Sequence, residues 1–127
     1  MPIKCFFCEP NAMAPSALIT QDELTYSRWD DFPVGEGHAE VIPKRHVNSY
    51  FELTNDEVKA VFEILKETKK AIDQKYSPDS YTIGINDGFE AGQTVPHCHV
   101  HLIPRYNGDV ANPRGGVRNI IPGKGGY

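Results

Sequence analysis

Three cysteines among 127 residues are too few for a disulfide-stapled scaffold. No apolar run is long enough to span a bilayer, and no basic segment followed by an apolar stretch stands at Met1. Basic residues are not in excess either: 13 Lys and Arg face 17 Asp and Glu, for a net charge of −4. With a pI near 5.7, that balance argues against a general nucleic-acid-binding surface. The length suits one hydrophobic core and not two. The expectation is a soluble cytoplasmic protein with neither a membrane nor a nucleic acid as partner.

What the chain does have is histidine in one place. Three of its five histidines, His97, His99 and His101, alternate in the stretch QTVPHCHVHLIPR from Gln93 to Arg105. Cys98, Val100, Leu102 and Ile103 fill the remaining positions, so the segment reads as a strand with one apolar side. Alternate side chains of a strand share a face, which places the three imidazoles on one surface and Cys98, Val100 and Leu102 behind them. On a regular strand the first and last of these residues stand about 13 Å apart at the backbone. One metal ion with bonds of about 2 Å cannot readily collect all three rings. Such a row suits an extended polar group such as a phosphate chain.

The second chemical signal is the C-x-x-C of Cys5 and Cys8. By itself it fits a redox pair, half of a zinc site, or two small residues without chemistry. A redox motif of this kind opens a helix after a strand, whereas here Pro10 and Pro15 follow closely. Zinc needs four ligands, and His46 and His97 are the candidates for the remaining two.

Around these signals the pattern is α+β: an antiparallel sheet of about five strands, one long helix and shorter helices. Strands are expected at Leu24–Trp29, His38–Pro43, Tyr81–Asn86 and through the histidine row, with a short helical turn near Ser16–Ile19. Residues 54–76 form the best helix, opened by a Thr54/Glu57 capping box, with Val58, Val61, Phe62, Leu65 and Ile72 as its apolar stripe. Asp30 lies in the turn after the first of these strands. Alternation places His38, Glu40 and Ile42 on one face of the next. The loop from Glu90 to Pro96 offers Gln93 and Thr94 as donors to an anion. Residues 107–127 hold six glycines, two arginines and one lysine with Asp109 as the only acid. They form a Gly-rich basic C-terminal tail to a domain of residues 1–106. This segment reads as a mobile tail or as a cover whose Arg114, Arg118 and Lys124 reach substrate phosphates.

The run H-C-H-V-H-L-I from His97 resembles the signature of the histidine triad (HIT) superfamily. N-D-G-F-E-A-G-Q-T-V-P before it resembles the dinucleoside polyphosphate hydrolase branch of that family, and G-H-A-E-V-I-P-K-R-H-V from Gly37 resembles its other signature strand. The resemblance implies that His99 is a nucleophile toward the α-phosphorus of a nucleotide. It implies His101 and Gln93 as donors to the phosphoryl oxygens, with Thr94 beside them, and His38 as support for the row. It implies Asp30 as a ribose contact, although spacing alone reads Asp30 equally well as a turn carboxylate. Glu40 departs from the family, where an apolar residue is commoner; a solvated edge or an orienting role for His38 both fit. The resemblance further implies a structural zinc on Cys5, Cys8, His46 and His97, no ion required for catalysis, and a homodimer packed through the long helix and a neighbouring strand. The expected activity is hydrolysis of dinucleoside polyphosphates such as diadenosine tetraphosphate through a covalent nucleotidyl-histidine. The alternatives are a phosphorylase, a nucleoside phosphoramidate hydrolase, a zinc metalloenzyme, and a nucleotide-binding sensor that does not depend on turnover.

Overall fold

In the computed structural model, which describes residues 5–126, the chain alternates short turns with five strands and one long helix. Lys4, next to the C-x-x-C, the first residues of the expected 1–106 domain and Tyr127 lie outside the described residues. The strands are β1 (Leu18–Gln21), β2 (Thr25–Trp29), β3 (Ala39–Pro43), β4 (Ser80–Gly84) and β5 (Val100–Arg105). They pair antiparallel throughout, in the order β1-β2-β3-β5-β4. β3 and β5 are therefore central, and the site motifs they carry become neighbours.

The helix α1 (Asn55–Tyr76) begins as the capping box requires: the Thr54 side chain accepts from Glu57 N–H and the Glu57 carboxylate accepts from Thr54 N–H. Its packed face differs from the expected stripe. Ala60, Ile64, Thr68 and Ile72 are buried at four-residue steps along one line, with Val61 buried beside them. Phe62, midway between Ala60 and Ile64 in the sequence and off that line, is 58 % exposed, with the Lys66 ammonium 4.9 Å from its ring centroid. A large apolar residue at approximate helical spacing cannot be told from a packed one without knowing which line faces the sheet.

α1 covers one face of the sheet. Val61 and Ile64 pack on Val41 and Val100, and Ile72 packs on Ala39 and Leu102. At a central position Thr68 Oγ1 lies 2.7 Å from Ser27 Oγ, so the hydroxyls satisfy one another inside the layer. The opposite face is closed at one end by the N-terminal segment, where Phe7 packs on Tyr26 and Ile42 and Tyr26 O–H donates to Phe7 O at 2.7 Å.

Strand limits moved for local reasons. β1 was read as part of a helical turn; it follows a single 3-10 turn at Pro15–Ala17. β2 starts at Thr25 because Asp22 Oδ1 accepts from both Leu24 and Thr25 N–H, at 2.9 Å each, and turns the chain there. His38 closes the next turn, its carbonyl accepting from Asp30 N–H, so β3 begins at Ala39. Gly37 is fixed by two demands. Its φ is +83°, and a Cβ there would lie 2.9 Å from Tyr76 and 3.2 Å from Ile72, where the end of α1 crosses the turn.

Candidate active site

Only the last histidine of the row lies in a regular strand: β5 starts at Val100, and His97 and His99 precede it. Alternation along β5 holds, with Val100, Leu102 and Pro104 buried toward α1 and His101 on the other face. Cys98 packs behind as expected, its N–H donating to Val47 O at 2.6 Å. Because the chain is irregular before Val100, the three rings do not serve one purpose. His97 turns to the N-terminal cysteines, while His99 and His101 stay together, ring centroids 5.0 Å apart.

Hydrogen-bond partners assign the protons on these rings. His99 Nδ1 is 2.8 Å from His97 O, and a carbonyl only accepts, so Nδ1 carries the proton and Nε2 keeps its lone pair. The other half runs through a relay. Val34 N–H donates to His38 Nδ1 at 3.2 Å, so His38 holds its proton on Nε2 and donates it to His101 Nδ1 at 2.9 Å. His101 is left with its proton on Nε2. Two adjacent imidazoles thus present opposite Nε2 character, a bare nitrogen on His99 and an N–H on His101. Burial above all, and then neighbouring His99 and His38, pull His101 down to about 4, and burial also lowers His38. Both are neutral at pH 7, the state in which the relay works.

Asp30 joins this group. Its Oδ1 accepts from Phe32 N–H at 2.7 Å, and its Oδ2 lies 3.4 Å from His38 Nε2 and 3.8 Å from His101 Nδ1. The three side chains are close enough to suggest a cation site. The relay argues against one, because Val34 N–H occupies His38 Nδ1 and the proton on Nε2 leaves no lone pair for a metal. Glu40 is not at a solvated edge. It sits in central β3, 5 % exposed, in register with Arg28 of β2 and His101 of β5.

Cys5, Cys8, His46 and His97 converge as a second cluster, their ligand atoms all within 4.8 Å of one another. Cys8 Sγ is 3.1 Å from His46 Nδ1, and Cys5 Sγ is 3.4 Å from His97 Nδ1. His97 Nε2 donates to Pro43 O at 2.6 Å, which directs the Nδ1 lone pair at the thiols. Two thiols and two imidazole nitrogens at such separations match a tetrahedral metal of the zinc type, whose bonds are about 2.0–2.3 Å. The residues present fit that ion.

Gln93 is placed differently from the expectation. Its Nε2 donates to Asn48 O and Val95 O, at 2.9 and 3.1 Å, and its Oε1 accepts from Gly88 N–H at 2.8 Å. It is the clasp of its own loop, and contact with a phosphate would require it to exchange these bonds. Thr94 is exposed next to it. Asp87 ties the same loop to Ser49 Oγ and Tyr50 N–H at 3.0 and 2.9 Å. The sequence reading missed Phe7, whose ring stands 5.0 Å from that of His99 and 6.1 Å from that of His97. Its signal was its place between Cys5 and Cys8: residues that fasten the N-terminus to His97 must carry Phe7 onto the row.

Comparison with known proteins places the chain in a family. The HIT domain model matches residues 11–108. An uncharacterised HIT-like protein of Methanocaldococcus jannaschii is 37% identical over 106 residues, covering 83% of this chain and 81% of its own. The asymmetrical bis(5'-nucleosyl)-tetraphosphatase of Schizosaccharomyces pombe is 43% identical over 77 residues, 61% of this chain and 42% of that protein. The crystal structure of a zinc-bound histidine triad family protein from Mycobacterium smegmatis superposes with a TM-score of 0.75 at 34% identity, covering 85% of this chain and 79% of that one. With a HIT domain matched over most of its length and its row of histidines split between a thiol cluster and the His99–His101 pair, this chain belongs to the HIT family.

Proposed function

We propose that the protein is a nucleotidyl hydrolase that cleaves dinucleoside polyphosphates through a covalent nucleotidyl-histidine on His99. The observation that carries this reading is the opposite tautomer state of His99 and His101 on rings 5.0 Å apart. A neutral imidazole with a free Nε2 is a competent nucleophile toward phosphorus. In the first step a bond forms between His99 Nε2 and the α-phosphorus, and the phosphoanhydride bond to the leaving group breaks with its electron pair on the departing oxygen. Water then attacks the same phosphorus, the P–N bond breaks, and the nucleoside monophosphate leaves with the imidazole regenerated.

His101 Nε2–H donates to the phosphoryl or bridging oxygen where negative charge grows, a contact worth ~3 kcal/mol, on the order of a hundredfold in rate. Its burial favours the neutral ring, so it acts in the resting enzyme as a hydrogen-bond donor. His38 keeps that donor in the right tautomer. Asp30 takes the ribose hydroxyls, and Gln93 and Thr94 meet the phosphates once the loop opens its clasp.

Zinc on Cys5, Cys8, His46 and His97 is structural in this reading: when bound it cross-links the N-terminal segment to the row, and the chemistry needs no ion. The protein is a homodimer through α1 and the edge strand β4, a reading supported by Phe62 and Ile83, 58 % and 55 % exposed on those elements. It works in the cytoplasm.

Diadenosine tetraphosphate turnover by wild type and His99→Gly tests the chemistry. Loss of about a thousandfold or more in the variant, with nucleotide binding retained, is expected. Equal turnover by both proteins would remove the covalent step. Binding without turnover in either would favour the sensor reading, and faster cleavage of a nucleoside phosphoramidate would move the substrate class.

A further inference from the structure

Arg28 of β2, Glu40 of β3 and His101 of β5 stand directly opposite one another across adjacent strands. Residues so opposed put their side chains on one face, with Cβ atoms about 4.5–5.5 Å apart. Ala39 and Val41 pack toward α1, so this face is the one that bears the histidines. Glu40 is 5 % exposed and Arg28 is 3 % exposed. A carboxyl and a guanidinium are thus buried side by side on the strands that lead away from His101.

Two observations set this step apart from a closed ion pair. Arg28 Nη2 donates to Asp31 Oδ1 at 3.0 Å, in the turn beyond β2, and its Nε has no hydrogen-bond partner among the described residues. A buried N–H without a partner is costly, and an acceptor on a ligand relieves that cost. The second is a wall of rings that joins the step to His99. Phe7 stands 5.0 Å from the His99 ring, Phe6 5.5 Å from Phe7, and Arg28 Cζ 4.7 Å from the Phe6 ring centroid. A ring over the face of a guanidinium leaves its N–H groups, which point outward in its plane, to meet acceptors at its edge. Phe6 is half-exposed, with surface left for a further flat ring.

We propose that Arg28 and Glu40 read the nucleobase of the substrate and select guanine over adenine. With the α-phosphorus at His99 and the ribose at Asp30, two residues beyond Arg28, the base lies between the Phe6–Phe7 wall and this step. A guanidinium only donates, so the base edge that faces it must accept. Guanine offers O6 and N7 there, whereas adenine puts an amino group beside N7. A carboxylate only accepts: guanine donates to it from N1–H and its N2 amino group, while adenine N1 presents a lone pair. Burial above all raises the Glu40 carboxyl to about 8 in the free protein, and the N–H donors of a bound guanine hold it ionised. Both side chains set specificity and take no part in bond making. The kinetic form of this proposal rests on the hydrolase reading above; base recognition does not.

The test has two arms. In the first, kcat/KM for diguanosine tetraphosphate and for diadenosine tetraphosphate is measured in wild type, Glu40→Leu and Arg28→Met. Wild type should favour the guanine substrate by about tenfold or more. Glu40→Leu should bring the two substrates within about threefold of each other, chiefly through a higher KM for the guanine one. Its retained turnover of the adenine substrate reports an intact fold. Arg28→Met should move the ratio in the same direction. In the second arm, calorimetry compares GMP and AMP binding to His99→Gly, with and without Glu40→Leu. GMP should bind more tightly only where Glu40 is present.

Equal handling of the two bases by wild type, or a preference for adenine, would overturn the proposal whether or not the variants fold. A base preference that both variants leave unchanged would overturn the role of these residues, since a purely structural pair does not alter that ratio. Preferential GMP binding by a protein that turns over neither substrate would support base recognition while removing the function proposed above.

Discussion

His97 holds His99: the backbone carbonyl of His97 accepts the Nδ1–H of His99 at 2.8 Å, while the ring of His97 points its own Nδ1 at Cys5 and Cys8. One residue belongs to both centres, by its side chain to the thiol cluster and by its backbone to His99.

Metal removal should therefore be felt at the active site without abolishing the chemistry. Cys8→Ser is expected to lose the bound metal, as read by elemental analysis, and to lower Tm by several degrees. Turnover should fall severalfold and not to zero, because His99 and His101 remain. Phe7 should loosen as well, seen as lost ring contacts to His99 in NMR spectra. Unchanged metal content in Cys8→Ser would exclude this cluster as the ligand set.

Protonation of His101 supplies a second check. Its folded-state value is depressed to about 4 from an ordinary 6.5. A depressed group contributes stability that is present above its unfolded value and is lost as pH falls through the folded one. The His101 ring should stay neutral on acidification through the usual histidine range, and stability should decline from about pH 6.5 toward pH 4. Ring-proton NMR that showed His101 titrating near 6.5 would contradict the buried relay.

The start of α1 carries the third. Arg45 Nε and Nη2 grip both Glu57 oxygens at 3.0 and 2.8 Å, and Glu57 also caps Thr54. The Arg45 hydrogen bond, more than any other cause, draws Glu57 down to about 2 from its usual 4.5. Here too the stability is present above the unfolded value and fades between about pH 4.5 and pH 2. Glu57→Gln should cost about 2 kcal/mol in denaturant unfolding at pH 7 and remove that acid-sensitive component. A loss that persisted equally at pH 2 would point to packing and not to charge.

Much of this protein is written locally. The capping box, the alternation in β3 and β5, the C-x-x-C and the row of histidines all express themselves within a few residues, where propensity and periodicity act. The family follows from those signatures, and so do the members of both clusters. Other features depended on what folds against what. Phe62 and Ile64 look alike as candidates for a helix stripe until the sheet chooses a line. Gln93 reads as a free donor until Asn48, Val95 and Gly88 claim it. The surroundings of Glu40 are not legible in sequence because its register neighbours, Arg28 and His101, come from two other strands. The tautomer of His99 is set locally by the carbonyl of His97, but that of His101 is set by Val34 through His38, and the His38–His101 bond exists only once β3 and β5 lie side by side. Sequence determined which groups are present and roughly where they stand. Tertiary structure decided their protonation and their partners, because burial and long-range hydrogen bonds control both.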